Sequence, residues 1–191
     1  MAEDKKGARR RDAWIVFEDE SGISLVPAVR ATWAPRGQTP VLRHRFSWKR
    51  LSMAAAVAYA PDGSDAHVVF ETRAGAYNDE SLIEFLDAVH HELGGTKVTL
   101  IWDGLPSHRS RRMQAYVRAQ RRWLVVKRLP GYAPDLNPVE CLWGNVKGSE
   151  LANLCVDTIE ETAHAAHAGV DRVRTDTDLA FSFLRHCGLS L

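Results

Sequence analysis

The chain has 191 residues, 45% of them hydrophobic, which is enough apolar material for one well-buried domain and too little length for a second of ordinary size. Lysine and arginine number 25 against 24 aspartates and glutamates, so bulk charge excludes a protein that holds nucleic acid through composition alone, and any such contact must come from local patches. Three widely spaced cysteines exclude a disulfide framework and match no zinc pattern, and no apolar run reaches the ~18 residues of a membrane span; a soluble, cytoplasmic protein without structural zinc is expected.

Residues 1–12 are charged with almost nothing to bury and predict a disordered basic tail or linker remnant, with the folded domain over residues 13–191. Residues 13–19 are apolar up to an acidic end and read as a central strand. Alternation along that strand puts Ile15, Phe17 and Asp19 on one face, and Val16, Glu18 and Glu20 on the other. A shorter strand is expected at residues 31–33, before a turn around Pro35 and Gly37. Residues 51–60 and 67–72 flank Pro61-Asp62-Gly63-Ser64 and predict a β-hairpin.

The period then changes. Asn78 is an N-cap candidate for a helix that presents Leu82, Ile83, Phe85, Leu86 and Val89 to the core and stops at Gly94-Gly95. A strand at residues 98–102, a helix at 107–121 and a strand at 123–127 follow, and Asn137-Pro138 then starts another helix, with Asn as N-cap and Pro at the first helical position. Helices at residues 158–173 and 179–187 complete the chain. Strands first, then alternating helix and strand, then helices, predict an α/β fold with a mixed sheet and flanking helices.

Three carboxylates stand out. Asp19 and Asp103 each end a hydrophobic run, and Glu140 falls on the first turn of the helix begun by Asn137. An acid at the end of a buried strand is costly unless something positive satisfies it, and three in one cleft make a site for a hard cation such as magnesium. Taken singly, Asp19 also reads as a surface acid and Asp103 as an Asx-turn residue before Gly104. Asn137-Pro138-Val139-Glu140 has the spacing of a capping box, in which the glutamate serves the helix start and needs no metal.

Two basic clusters accompany the acids. Arg43, Arg45, Lys49 and Arg50 are interleaved with Phe46 and Trp48, and Arg109, Arg111, Arg112, Arg118, Arg121 and Arg122 charge the helix after Asp103. Both suit DNA backbone contacts, and both also suit solvated faces or, for the first, a protein partner. His108 reads equally as a phosphate contact or a helix cap, and Lys147, two turns beyond Glu140, as a phosphate-positioning group or an exposed lysine.

The text around the acids resembles the DDE transposases of the bacterial IS630 group, relatives of the mariner elements. Phe17-Glu18-Asp19-Glu20-Ser21, Trp33 with Gly37, Trp102-Asp103-Gly104-Leu105-Pro106-Ser107-His108, and the string from Leu129 through Asp135-Leu136-Asn137-Pro138-Val139-Glu140 to Leu142-Trp143 and Lys147 carry the resemblance. Gly104 stands where many relatives have Asn, and Gly131 where many have a second Pro. The resemblance implies a ribonuclease-H-like catalytic domain with Asp19, Asp103 and Glu140 as catalytic metal ligands. Asp19 would bridge two magnesium ions, replaceable by manganese, for cleavage and strand transfer at insertion-sequence ends. It further implies DNA as partner, with contacts from Arg43, Arg45, Lys49, Arg50, His108, Arg109, Arg112 and Lys147. A homodimer on DNA within the bacterial nucleoid is expected, with the helix-turn-helix module that reads the element's ends absent here and supplied by a separate subunit. A non-catalytic remnant that binds DNA or interferes with intact transposase, and a general ribonuclease-H-like nuclease, are the alternative readings.

Overall fold

The computed structural model describes residue 8 and residues 11–45, 47–131 and 133–190. Five strands form one mixed sheet, β1 (Ala13–Ser24), β2 (Arg50–Tyr59), β3 (Ala66–Ala74), β4 (Lys97–Trp102) and β5 (Leu124–Arg128), in the spatial order β3-β2-β1-β4-β5. β1, β2 and β3 form an antiparallel meander, whereas β4 and β5 add to the other edge of β1 in parallel. Crossovers into the parallel strands need helices, which α1 (Asp79–Glu92) supplies before β4 and α2 (Arg111–Ala119) between β4 and β5, whereas α3 (Pro138–Gly148), α4 (Ile159–Arg174) and α5 (Thr177–His186) follow the last strand.

Strand alternation divides the core in two. Ile15, Phe17, Val57, Tyr59, Phe70 and Ile101 point to the face covered by α3, α4 and α5, where they meet Leu142, Trp143, Val170 and Phe183. Val16, Ala54, Ala56, Leu100 and Trp102 point to the opposite face, under Leu82, Phe85 and Leu86 of α1 and Met113 of α2. Buried alanines along β2 let helices approach that strand closely, and Tyr59 anchors α5 by donating to the Ala180 carbonyl at 2.9 Å.

Local chemistry sets the ends of the elements. α1 starts with a reciprocal capping box between Asn78 and Ser81 and stops before Gly94 and Gly95, both at positive φ, where a side chain would be strained. The hairpin between β2 and β3 closes with the Gly63 amide on the Ala60 carbonyl at 3.0 Å.

Three details differ from the sequence expectation. β1 continues past Asp19 to Ser24, because β2 pairs with it as far as Ser24↔Arg50. Residues 31–33 form no strand: they lie in a long connection between β1 and β2 that pairs with no strand among the described residues, and Trp33 is 100% exposed. The connection is tied down near its start, where Asn153 accepts from the Arg30 amide at 2.8 Å and donates to the Arg30 carbonyl at 3.0 Å. The helix expected over residues 107–121 is a 3-10 turn at Ser107–Arg109 followed by α2, since the Ser110 side chain caps a fresh helix by accepting from the Met113 amide. Of the expected tail, Ala8 is buried against the core and the Arg11 guanidinium reaches the Trp123 carbonyl; residues 1–7, 9 and 10 lie outside the described residues.

Candidate active site

Parallel pairing of β1 with β4 has its last registered pair at Phe17↔Ile101. Two residues further along each chain come Asp19 and Asp103, on the same face of the sheet by alternation. α3 crosses that face and brings Glu140 to it. Asp19, Asp103 and Glu140 line one cleft of about 440 Å³, walled by Leu105, Pro130 and Pro134.

Glu140 is exposed, and the capping box that its spacing suggested does not form. The Asn137 side chain accepts from the Val139 amide at 3.2 Å, as an N-cap should, but the Asn137 amide donates to the Pro134 carbonyl at 2.8 Å. A 3-10 turn at Pro134–Leu136 thus satisfies the group that a capping-box glutamate would have served, and the Glu140 carboxylate is left to the cleft. Asn137 also donates to the Glu18 carbonyl at 3.5 Å, which ties the start of α3 to β1.

Asp19 is held by its neighbours. Trp143, one turn after Glu140, donates Nε1–H to Asp19 Oδ2 at 2.9 Å. Burial raises the Asp19 pKa to about 7; Glu140, Glu20 and Asp103 push it the same way, and the Trp143 bond opposes them. Lys147 follows on the same side of α3, with Nζ on the Ser21 hydroxyl; burial lowers its pKa, against the pull of Glu140 and Asp19. Asp103 does make the turn contact that its Asp-Gly context suggested, accepting from the Leu105 amide at 2.9 Å. It also meets His108 Nδ1 at 2.9 Å, and both contacts use Oδ1, so its second oxygen need not compete with the turn.

His108 is neither a surface phosphate contact nor a helix cap. It is buried, with its ring stacked on Trp102 at a centroid distance of 4.1 Å, and Ser110 does the capping. Its Nε2 lies 3.4 Å from Glu20 Oε1. Burial alone would lower its pKa, but the hydrogen bond to Glu20 and the charges of Glu20 and Asp103 prevail and raise it. The roles of Trp143 and His108 are not evident from the sequence; the available signals were Trp143 at i+3 from Glu140 and His108 close behind Asp103 on a chain that must turn.

The basic candidates are dispersed. Arg43, Arg45, Lys49 and Arg50 are exposed on the β1–β2 connection and the start of β2, and Phe46 lies outside the described residues. Arg109, Arg111, Arg118, Arg121 and Arg122 are exposed on and around α2, while Arg112 pairs with Glu80 of α1 at 2.8 Å. Cys141 and Cys187 are free thiols with sulfurs 4.0 Å apart, and burial raises the pKa of both. Among the described residues no helix is long and apolar enough to cross a membrane.

A family model described as DDE superfamily endonuclease matches residues 14–162, a span that contains Asp19, Asp103 and Glu140. The chain belongs to that family. The insertion element IS630 uncharacterized 39 kDa protein of Shigella sonnei is 29% identical over 129 residues, which are 68% of this chain and 36% of the relative. Among solved structures, the Mos1 transposase paired-end complex with the left transposon end superposes with a TM-score of 0.63 at 20% identity, over 98% of this chain and 55% of that one. The catalytic domain of Mos1 mariner transposase superposes with a TM-score of 0.56 at 18% identity, over 98% of this chain and 82% of that one. The shared architecture is the ribonuclease-H-like fold expected from the motifs. The chain spans about a third of the IS630 relative and about half of the longer Mos1 chain.

Proposed function

We propose that this DDE endonuclease domain cleaves DNA at insertion-sequence ends and transfers the resulting strand to target DNA, with Asp19, Asp103 and Glu140 as its metal-binding catalytic acids. The observation that carries the reading is the convergence of these three acids on one cleft in a chain whose family match spans all of them. Their all-oxygen donor set suits magnesium, with manganese as a substitute. The raised pKa of Asp19 supports the fit, because a cleft with uncompensated carboxylates favours either a proton or a cation on Asp19. In this reading Asp19, Asp103 and Glu140 would together hold two such ions. When bound, the ions supply charge neutralisation at the phosphoryl oxygens and a lowered pKa for the attacking hydroxyl.

The chain's own side chains do the positioning. The Trp143 indole leaves Asp19 Oδ1 turned away from its hydrogen bond, and the Asn137 cap sets the direction in which α3 presents Glu140. In the first step a water oxygen bonds to phosphorus at the element's end, the bond from phosphorus to the 3′-oxygen breaks, and that oxygen leaves as a 3′-hydroxyl after taking up a proton. In the second step the freed hydroxyl attacks a phosphorus of target DNA and displaces another 3′-oxygen. Lys147 beside the acids, with Arg43, Arg45, Lys49, Arg50, Arg109 and Arg112, holds the DNA backbone in this proposal; Arg112 contributes least, being paired with Glu80. The paired-end complex of Mos1 supports two copies acting together on DNA. Recognition of the end sequence falls to a helix-turn-helix module on a separate subunit or another part of the polypeptide, and the compartment is the cytoplasm.

The test uses labelled duplexes spanning the DNA that flanks the gene. Nicks confined to the element boundaries, dependent on Mg2+ or Mn2+ and lost in Asp19→Asn, are expected. Cleavage by Asp19→Asn at the parental rate refutes the assignment.

A further inference from the structure

The alternation that sends Asp19 to the open cleft sends Glu18 and Glu20 to the opposite face of the sheet. Glu18 is 1% exposed there, and neither of its carboxylate oxygens has a hydrogen-bond partner among the described residues. Glu20 Oε2 is buried in the same condition. A fully buried carboxylate without a partner is a large cost that a fold seldom keeps without a compensating group.

The compensating group at hand is incomplete. His108 Nε2 lies 3.4 Å from Glu20 Oε1 and 3.9 Å from Glu18 Oε2, and among the described residues the ion pairs to both glutamates come from this one imidazole. Two carboxylates against one histidine leave the pocket a positive charge short, with Asp103 adding a third carboxylate beyond the ring. Protonation of a carboxylate is one answer to that imbalance.

The geometry offers a second answer. One ligand atom each from Glu18, Glu20 and His108 lies within 4.8 Å of the other two. Ligands bound at ~2.1 Å around a tetrahedral ion stand ~3.4 Å apart, close to the Nε2 distances above. The imidazole is also oriented to coordinate an ion. Stacking on Trp102 fixes its plane, and Nδ1 meets the Asp103 carbonyl at 3.3 Å with the Asp103 Oδ1 charge at 2.9 Å, which favours the proton there and turns the Nε2 lone pair toward the two glutamates. A backbone carbonyl or carboxylate behind the histidine is the usual outer support of a metal-bound imidazole.

We propose that Glu18, Glu20 and His108 bind one divalent transition-metal ion of the Mn2+ or Zn2+ class, in a site behind the sheet and separate from the Asp19–Asp103–Glu140 cleft. The mixed nitrogen and oxygen donor set distinguishes it from the all-oxygen cleft and selects these ions over Mg2+. Asp103 is the link, since the oxygen that supports His108 belongs to a residue of the cleft, so an ion behind the sheet holds Asp103 in place from the rear. The site stands whether or not the cleft cleaves DNA.

The experiment uses the whole chain carrying Asp19→Asn and Glu140→Gln, which strip the cleft of two ligands and leave Asp103 in place. Mn2+ titration followed by electron paramagnetic resonance, and zinc content after dialysis, read the rear site alone. One equivalent of either ion per chain, not displaced by a hundredfold excess of Mg2+, is expected, with nitrogen hyperfine coupling on the bound Mn2+. That coupling should vanish on adding His108→Gln, and Glu18→Gln or Glu20→Gln should each weaken binding at least tenfold. Should the Glu18 variant fail to fold by circular dichroism, the less buried Glu20 variant decides. Absence of a retained ion, a bound Mn2+ without nitrogen coupling, or binding unchanged by the glutamate substitutions overturns the proposal and leaves a protonated, ion-paired cluster.

Discussion

Adjacent carboxylates on β1 have opposite fates. Asp19 is partly exposed in a cleft open to solvent, where an indole donates to it and Glu140 stands across from it. Glu18, one residue earlier, is sealed on the opposite face, and its carboxylate has no hydrogen-bond partner among the described residues. The residues are chemically alike, and the strand is the same. What separates them is the layer above each: α3 begins at the edge of its face and leaves a cleft beside its first turn, whereas the other face is roofed by α1, Trp102 and the 3-10 turn that carries His108. An acid is available for chemistry only where the covering layer stops short of it.

The sharpest way to break that contrast is to neutralise the open side. Asp19→Asn should lower metal-dependent cleavage by about 10²–10³-fold or more, the scale on which an electrostatic stabiliser of a transition state is lost. The melting temperature of the metal-free protein at pH 8 should not fall, because the substitution removes a half-buried charge and keeps an acceptor for Trp143; a large fall would place Asp19 in the structural class of Glu18. Cleavage assays and calorimetry on the same preparation read both effects.

Glu140→Gln sharpens the point from the helix. Because the Glu140 side chain does not serve the cap, this variant should melt with the parent while losing cleavage by a similar factor. Asn137→Ala should do the reverse in stability, costing about 1–2 kcal/mol as a buried cap that also ties α3 to β1. Equal cleavage by Glu140→Gln and parent, measured side by side, removes Glu140 from the proposed triad.

Titration gives an intermediate effect. The folded-state pKa of Asp19 lies near 7, above the ordinary aspartate value of 3.8, so the native state holds a proton that the unfolded chain has released between those limits. Metal-free stability contributed by this group is therefore present below about pH 4 and is lost as pH rises toward 7. Divalent ions, which bind the deprotonated carboxylate, should offset the loss at the upper end. Denaturant melts from pH 4.5 to 7.5 should show this slope in the parent, and a flat contribution in Asp19→Asn.

The smallest expected effect lies outside both sets of acids. Replacing Arg43, Arg45 and Lys49 together with Ala should reduce the slope of log K against log salt for duplex DNA by about 0.9 for each phosphate no longer neutralised. Arg112→Ala should change it less, since Glu80 already neutralises that guanidinium. Filter-binding series at several salt concentrations separate the two.

Much of this organisation was legible in the chain itself. Period-2 alternation in residues 13–20 assigned Asp19 and Glu18 to different faces, the Pro61–Ser64 turn located the hairpin, and Asn137-Pro138 marked the start of α3, because backbone geometry and turn chemistry are local. The motif around Glu140 carries the DDE resemblance in its residue types and their order alone. Tertiary structure decided the rest. Whether residues 31–33 become a strand depends on a neighbour to pair with, and among the described residues no strand pairs with them. Whether Glu140 caps its own helix depends on who reaches the Asn137 amide first, and the Pro134 carbonyl does. Whether His108 meets solvent or the interior depends on where Trp102 and Glu20 lie after folding, 6 and 88 residues away in sequence. Strand periodicity is written residue by residue, but burial and partnership are properties of the layer that arrives from elsewhere in the chain.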